Sequence, residues 1–190
     1  MLEDEDHSRV YFGEFEYGER SGEGEETFSD KSRYKGGYNN GERNGMGVLF
    51  SPDGSELYRG EWYDDLRHGK GLLLHHRQEG STWEGSYEGD FNYDKFSGYG
   101  RYTYTDGTSI EGQWLDDTPR DGDWSIKYID GSKFYGFATF QHSEEKSVMS
   151  DGSRFDFLRV PLPHGFGSLT YPSGQRFVGS FVYGEFNSDT

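Results

Sequence analysis

The sequence predicts an all-β fold, an elongated single-layer twisted antiparallel sheet built of tandem β-hairpins. Three recurring landmarks support this fold class. An aromatic residue precedes a glycine by two positions, a Gly-x-Gly follows about eleven residues later, and an Asp-Gly or Ser-Gly closes the unit. The alternation of aromatic and polar residues between these landmarks is typical of half-buried antiparallel strands, and Asp-Gly is typical of hairpin turns.

The first landmark, which we call the anchor, recurs at steps of 21 to 27 residues. Such regular spacing indicates tandem structural units. In most units a glycine stands two residues after the anchor, but the copy at Phe155 lacks it and is degenerate. The predicted anchors are Tyr11, Tyr34, Tyr58, Trp83, Ile110, Phe134, Phe155 and Phe177.

The unit that begins at Tyr58 shows how one hairpin is expected to form. Tyr58, Gly60 and Trp62 lie at i, i+2 and i+4, so they share one face of a strand. The glycine leaves room for a ring of a neighbouring strand to lie over the backbone. Arg59 and Glu61 point to the opposite face. A turn rich in glycine, asparagine and aspartate then leads to the second strand.

The composition restricts the class of partner. Glycine makes up 29 of 190 residues, aromatic residues 18%, hydrophobic residues only 31%, and the net charge is −16. Low hydrophobicity with high net charge is typical of disorder, but disordered chains are poor in aromatic rings. The acidity disfavours nucleic acid and anionic membrane lipid, and it favours a basic protein partner. There is no cysteine to form a disulfide.

The segment 58–71 resembles a nearly complete unit of the MORN repeat family, and the resemblance extends from residue 11 to about residue 187. It implies a stand-alone array similar to retinophilin-like proteins, which bind myosin tails in a groove, or to radial-spoke-head proteins and cytoskeletal scaffolds. MORN segments also occur beside enzyme or membrane-associated domains. Residues 162–187 are similar to the N-terminal repeats of a SET-domain lysine methyltransferase, without its catalytic domain.

The regularity of the repeats divides the chain into four predicted segments. Residues 1–10 form an acidic leader, 11–116 regular repeats, 117–163 degenerate repeats, and 164–190 a last repeat whose final hairpin is incomplete. In the degenerate segment Trp124 stands where a glycine is expected. This irregularity indicates either a stretch shaped for a partner, or drift and a local bend. The incomplete hairpin indicates a piece of a longer protein or an edge covered by a partner.

The sequence contains no motif that predicts catalysis. Phosphate-binding loops, nucleophile elbows and metalloprotease helices are absent. His68 and His164 occupy the same repeat position, which predicts a structural role. His75 and His76 are neighbours on a strand and point to opposite faces, which disfavours a shared metal ion. We therefore expect no enzyme activity, no cofactor and no metal.

The aromatic stripe predicts a binding groove. A single sheet has no second layer to cover it, so some rings of one face are expected to stay exposed until a partner covers them. Rings beside carboxylates suit a basic and apolar segment. The predicted partner-binding residues are Tyr34, Tyr38, Tyr58, Trp62, Trp83, Tyr87, Trp114, Glu61, Glu84 and Glu111.

Two functions follow from these expectations. The first is a non-catalytic scaffold or adaptor that binds a cytoskeletal, motor or axonemal protein in the cytoplasm, at the cytoskeleton or in a cilium. The alternative is a regulatory or substrate-positioning MORN segment of a larger enzyme or membrane-associated protein. The open edge or aromatic face of the sheet also allows a homodimer.

Overall fold

The structure, a computed structural model, describes residues 2–3, 9–74, 85–140, 147–148, 154–155 and 161–187. Over these residues it contains strands and turns but no helix, which confirms the all-β fold class. The strands are β1 (Leu2–Glu3), β2 (Val10–Glu16), β3 (Glu19–Thr27), β4 (Arg33–Asn39), β5 (Glu42–Phe50), β6 (Glu56–Tyr63), β7 (Leu66–Leu73), β8 (Gly85–Asn92), β9 (Lys95–Tyr104), β10 (Ser109–Leu115), β11 (Thr118–Pro119), β12 (Gly122–Lys127), β13 (Lys133–Thr139), β14 (Ser147–Val148), β15 (Arg154–Phe155), β16 (Leu162–Thr170), β17 (Arg176–Val182) and β18 (Glu185–Phe186).

Hydrogen-bonded neighbours follow chain order, as expected for tandem antiparallel hairpins. The exceptions are β11, a short extra partner of β10, and the pair β14–β15, which forms a sheet of its own. The chain divides into two compact units, residues 1–76 with 86–97, and residues 77–85 with 98–190. The segment boundaries predicted from repeat regularity stay predictions.

A row of glycines crosses the strands of each unit. In the first unit every glycine of the row pairs with the next one across the ladder. On β12 the place in the row is held by Trp124, which pairs with Gly136. The glycine row comprises Gly13, Gly24, Gly36, Gly47, Gly60, Gly71 and Gly89 in the first unit, and Gly100, Gly112, Gly136, Gly167 and Gly179 in the second.

The two glycines of each Gly-x-Gly meet different needs. The second belongs to the glycine row, where no Cβ is tolerated. The first lies where the register of the ladder shifts, at a bulge. Gly22, Gly45 and Gly69 have φ of +62°, +87° and +60° at these bulges. This left-handed conformation costs another L-residue about 1–2 kcal/mol.

Two-residue turns join the strands of each hairpin in the first unit. Asn40 and Gly41 have φ of +48° and +84°, and Asp64 and Asp65 have +47° and +65°. Positive φ at both central residues defines a type I′ turn, whose twist matches that of the flanking strands. The predicted Gly/Asn/Asp-rich turns are therefore confirmed.

The anchor of the fourth repeat was predicted at Trp83, and this is wrong. Gly89 pairs with Gly71 in the glycine row, so Tyr87, two residues before Gly89, is the anchor. The sequence contains two copies of aromatic-Glu-Gly that begin four residues apart. Only the register of the ladder shows which copy holds the anchor. Trp83 itself lies outside the described residues.

The degenerate repeat predicted at Phe155 is also not a unit of the main sheet. Strand β13 pairs directly with β16, with Tyr135 opposite Ser168. Phe155 lies on β15, which pairs only with β14 among the described strands. The main sheet therefore continues directly from β13 to β16.

Replacing a glycine of the row should destabilise the first unit strongly. A Cβ at Gly47 would lie 2.1 Å from the hydroxyl oxygen of Tyr34, whose ring is fully buried and cannot yield. We expect Gly47→Ala to lower the free energy of unfolding by about 3 kcal/mol. The measurement is guanidinium unfolding followed by tryptophan fluorescence.

Gly54→Ala is the matched control. It has φ of +88° but no atom within 4 Å of its added Cβ, so only backbone strain of about 1 kcal/mol is expected. Equal losses in the two variants would contradict the steric role of the glycine row.

Candidate binding surfaces

The anchor ring of each hairpin lies over the glycine row. The Tyr34 hydroxyl donates a hydrogen bond to the carbonyl oxygen of Gly37 at 3.1 Å, and the Tyr58 hydroxyl donates to that of Glu61 at 2.9 Å. Each ring therefore extends along its own strand and covers the glycine two residues after it. The expectation that the covering ring comes from a neighbouring strand is wrong for Gly36, which Tyr34 of the same strand covers, but it holds for Gly47 of the next strand, which the same ring covers. It also holds for Trp124, whose ring occupies the space beside Gly112.

The buried rings of the first unit pack edge to face in an unbroken series, which we call the ring ladder. Successive ring centroids are 5.0–5.3 Å apart, with interplanar angles of 81–90°. This geometry is favoured by the ring quadrupole and adds about 0.5–1.5 kcal/mol per pair. In spatial order the ladder runs Tyr11, Tyr38, Tyr34, Trp62, Tyr58, Phe91 and Tyr87.

Three arginines cap the ring ladder at successive repeats. The guanidinium carbon of Arg43 lies 4.2 Å from the ring centroid of Trp62 and 5.6 Å from that of Tyr34. Arg20 and Arg67 cover the preceding and following ring pairs in the same way. A guanidinium over aromatic faces is stabilising, more so when desolvated. This role of the arginines was not predicted from the sequence, although the steps of 23 and 24 residues between them follow the repeat.

Each of these arginines also ties its hairpin to the next turn. The Arg43 Nε donates to Asp65 Oδ1 at 2.8 Å, its backbone N–H donates to the same oxygen at 2.9 Å, and Nη2 donates to the Asp65 carbonyl at 2.7 Å. Arg67 makes the same three bonds to Asp94. Burial raises the pKa of Asp65, but the hydrogen bonds from Arg43 outweigh it and hold that pKa below its ordinary value.

The structure buries the rings that were predicted to bind a partner. Tyr34, Tyr38, Tyr58, Trp62, Tyr87 and Trp114 are only 0–4% exposed, all against this chain. The premise that a single sheet must leave these rings exposed is therefore wrong, because the rings are covered by the backbone and by neighbouring rings. Arginines also cover Tyr34, Tyr38, Tyr58 and Trp62. Their contact with a partner stays a prediction, which this burial disfavours.

The predicted acidic residues are not beside those rings. Glu61 follows the bulge, and its Oε1 accepts a hydrogen bond from the backbone N–H of Lys70 at 2.9 Å. Glu111 accepts from the Tyr99 hydroxyl at 3.1 Å and from Arg101 Nε at 2.9 Å, on the face opposite Ile110 and Gly112. Glu84 lies outside the described residues. The structure thus does not bring rings and carboxylates into one groove.

One edge of the first unit combines exposed rings with exposed carboxylates. Tyr63 and Tyr93 are 46% and 52% exposed, and their ring centroids lie 6.4 Å apart with His68 packed against both. Tyr17 at the first turn is 99% exposed. Exposed carboxylates occupy the same turns. The turn edge comprises Glu16, Tyr17, Glu19, Glu42, Tyr63, Asp64 and Tyr93.

The described residues offer little for other kinds of site. Among them, no group of three or more His, Asp or Glu side chains is arranged to hold a metal ion. The described part of the chain also has no helix of the length and hydropathy required to cross a bilayer. Nδ1 of His68 and of His164 is buried without a hydrogen-bond partner among these residues, and each ring packs against a tyrosine of the next turn.

A family model described as MORN repeat matches more than half of the chain, at residues 11–33, 34–56, 58–74, 87–109 and 162–176. The chain belongs to the MORN repeat family. The first four matched MORN units begin at the tyrosines whose rings lie over the glycine row of the first unit. MORN repeats generally mediate protein interactions and are generally non-catalytic.

Two curated relatives are similar over about half of the chain. Alsin of Rattus norvegicus is 33% identical over 115 residues, which cover 57% of this chain and 7% of Alsin. MORN repeat-containing protein 3 of Xenopus laevis is 33% identical over 98 residues, 52% of this chain and 35% of that protein. The matched region is thus a small part of Alsin and about a third of the Xenopus protein.

Among solved structures, the SAS-4 (dCPAP) TCP domain in complex with a proline-rich motif of Ana2 (dSTIL) of Drosophila melanogaster aligns with a TM-score of 0.35. The sequence identity is 12%, over 84% of this chain and 85% of that chain. A likeness of this size bears on neither fold nor function.

Removing an arginine cap should destabilise the first unit. We expect Arg43→Met to lower the free energy of unfolding by about 2 kcal/mol, because the ring contacts and the charged hydrogen bonds to Asp65 are lost together. Arg59→Met is the control, since its ion pair with Glu56 is exposed and worth less than about 1 kcal/mol. Chemical unfolding compares them, and equal losses would contradict the capping role.

Alkaline pH should unfold the ring ladder. Burial raises the pKa of Tyr34, Tyr38 and Tyr58 above the ordinary value of 10.0. Because the folded chain holds these protons more tightly than the unfolded chain, their stabilisation is complete below pH 10 and declines as pH rises above it. Each tyrosine should reduce the free energy of unfolding by up to about 1.4 kcal/mol per pH unit in that range.

The measurement is chemical unfolding at a series of alkaline pH values, with tyrosinate absorbance as a second readout. The variant with Tyr34→Phe and Tyr58→Phe should show a shallower decline, although it loses two hydrogen bonds at neutral pH. An unchanged slope in this variant would exclude Tyr34 and Tyr58 as the cause.

Proposed function

We propose that this MORN array is a non-catalytic scaffold or adaptor that holds a cytoskeletal, motor or axonemal protein. The proposed locations are the cytoplasm, the cytoskeleton and the cilium. Family membership supports a protein-binding role in general. The observation that carries the proposal is the turn edge of the first unit. Its turns are hydrogen-bonded to one another and expose tyrosines and carboxylates.

The turns of this edge are fixed to one another. The backbone N–H groups of Gly41, Asp65 and Asp94 donate to the carbonyl oxygens of Arg20, Arg43 and Arg67, at 2.9, 3.1 and 2.9 Å. Each arginine side chain adds further bonds to the next turn. A surface that is fixed in this way loses little conformational entropy when it binds, so a partner is recognised without a large rearrangement.

The chemistry of the turn edge suits a basic and apolar segment. Tyr63 and Tyr93 present ring faces over which a lysine or arginine side chain is stabilised. Asp64 and Glu42 are exposed beside them and supply opposite charge. We therefore propose the turn edge, rather than the buried rings, as the surface that binds the basic partner expected from the net charge.

A second candidate function is a regulatory or substrate-positioning MORN segment of a larger enzyme or membrane-associated protein. The match to Alsin favours it, because the matched array occupies only 7% of that protein. MORN units of this kind therefore occur inside much longer chains. In that setting the turn edge would contact another domain of the same protein.

Loss of the tyrosine pair should strongly reduce the retention of a partner protein. We expect the chain to retain an identifiable cytoskeletal or motor protein from a cytoskeleton-rich lysate, and the variant with Tyr63→Ser and Tyr93→Ser to retain about tenfold less, since exposed aromatic anchors dominate such contacts. The readout is quantitative mass spectrometry of the retained proteins, followed by the affinity of the purified partner.

The control variant carries Tyr183→Ser, a tyrosine of the second unit that is 53% exposed. It should retain the partner like the unmodified chain, and circular dichroism should show all three proteins folded. Retention that is the same in all three, or that includes no cytoskeletal or motor protein, would refute the proposal.

A further inference from the structure

The second unit exposes aromatic and aliphatic side chains on the face opposite its buried rings. Tyr135 and Phe137 lie on β13, Phe166 on β16 and Val178 on β17, and they are 65%, 40%, 68% and 52% exposed. We call these four residues the apolar strip. Serines fill the ladder positions between them, with Ser125 and Ser168 opposite Tyr135 and Ser180 opposite Phe166.

Three cations border the apolar strip in one ladder row. Lys127 pairs with Lys133, Lys133 with Thr170, and Thr170 with Arg176, so the row crosses β12, β13, β16 and β17. All three cations are exposed. None of them makes an ion pair within the ranges that the structure describes. We call Lys127, Lys133 and Arg176 the cation row.

This row is not explained by the stability of the fold. Two lysines directly opposite each other on neighbouring strands repel and destabilise the sheet. The chain has only 19 lysines and arginines against 35 acidic residues. Carboxylates to neutralise such a row are therefore plentiful in the chain, yet the positions paired directly with the row hold Ser109 and Thr170, and Glu111, diagonal to Lys127, is paired with Arg101.

The corresponding face of the first unit shows the opposite arrangement. There, Arg33 pairs with Glu25 at 2.9 Å and Lys70 pairs with Asp90 at 2.7 Å. Arg59 pairs with Glu56 within its own strand. Most cations on that face therefore form ion pairs within the chain, whereas the described residues provide no ion pair for the cation row.

We propose that the exposed face of β12, β13, β16 and β17 binds an acidic segment of another protein that also carries apolar side chains. Its carboxylates pair with the cation row, and its apolar side chains pack on Tyr135, Phe166 and Val178. The inference adds a second surface to the proposed adaptor and rests on it only in assuming a protein partner. This surface selects the opposite charge from the turn edge of the first unit.

A peptide segment fits this face better than a lipid surface. Asp123 pairs with Phe137 at the end of the apolar strip away from the cation row. A flat anionic bilayer that reached the cation row would also approach this carboxylate, in a chain of net charge −16. A segment with its acidic residues at one end meets the cations and leaves Asp123 beside apolar or basic residues.

The test uses the full chain and a fluorescein-labelled peptide of alternating glutamate and phenylalanine, followed by fluorescence anisotropy. A peptide with glutamine in place of glutamate is the control probe. We expect saturable binding of the glutamate peptide that weakens as salt is added, and about tenfold or greater weakening in the variant with Lys127→Glu, Lys133→Glu and Arg176→Glu.

A matched variant with Lys31→Glu, Lys35→Glu and Arg59→Glu changes the net charge equally in the first unit and should bind within about twofold of the unmodified chain, because distant charges are screened. The variant with Tyr135→Ser and Phe166→Ser should weaken binding without any change of charge. The Tyr63→Ser and Tyr93→Ser variant should bind normally, which separates failure of this inference from failure of the proposed function.

Three outcomes overturn the proposal. The first is no binding of the glutamate peptide, or binding that is equal for the glutamine peptide or for the cation-row variant. The second is binding of phosphatidylserine–phosphatidylcholine vesicles that depends on the cation row, without binding of the peptide. The third is a dimer in sedimentation velocity that the cation-row variant dissociates, because a second copy would then be the occupant.

Discussion

The absence of Cβ atoms along the glycine row is the constraint on which the rest of this structure depends. A single sheet has no second layer against which to bury its side chains. The glycine row solves this within one layer, because a ring can lie flat on the backbone only where no side chain intervenes. Tyr34 is fully buried although its strand faces no opposing sheet, and a Cβ on Gly36 or Gly47 would enter its hydroxyl group.

Burying the rings in this way determines which surfaces remain for binding. The ring ladder is closed by backbone on one side and by Arg20, Arg43 and Arg67 on the other. These arginines are then occupied by Glu26, Asp65 and Asp94. A partner is thus left with the turn edge and the opposite face, which differ in charge and in aromatic content between the two units.

The strands, turns and repeat order could be predicted from the sequence, because they depend on local periodicity and turn chemistry. The burial of Trp62 could not, because it depends on how rings lean along a strand and on an arginine 19 residues away in the chain. The choice between Trp83 and Tyr87 as anchor depends on register alone. Glu61 was predicted to bind a partner because it stands beside Trp62 in the sequence. That position does not reveal that its carboxylate is hydrogen-bonded at the bulge.

The second unit shows that the array tolerates departures on its buried face. Trp124 occupies the glycine row, yet it is buried, its ring lies against Gly112, and its indole N–H donates to the Arg120 carbonyl at 2.8 Å. The sheet likewise continues from β13 to β16 with Gly136 paired with Gly167. Packing therefore explains the irregular residues that point inward. Packing does not explain why Lys127 lies opposite Lys133 on the outward face. Binding of a ligand to that face is the simplest physical explanation of this pair.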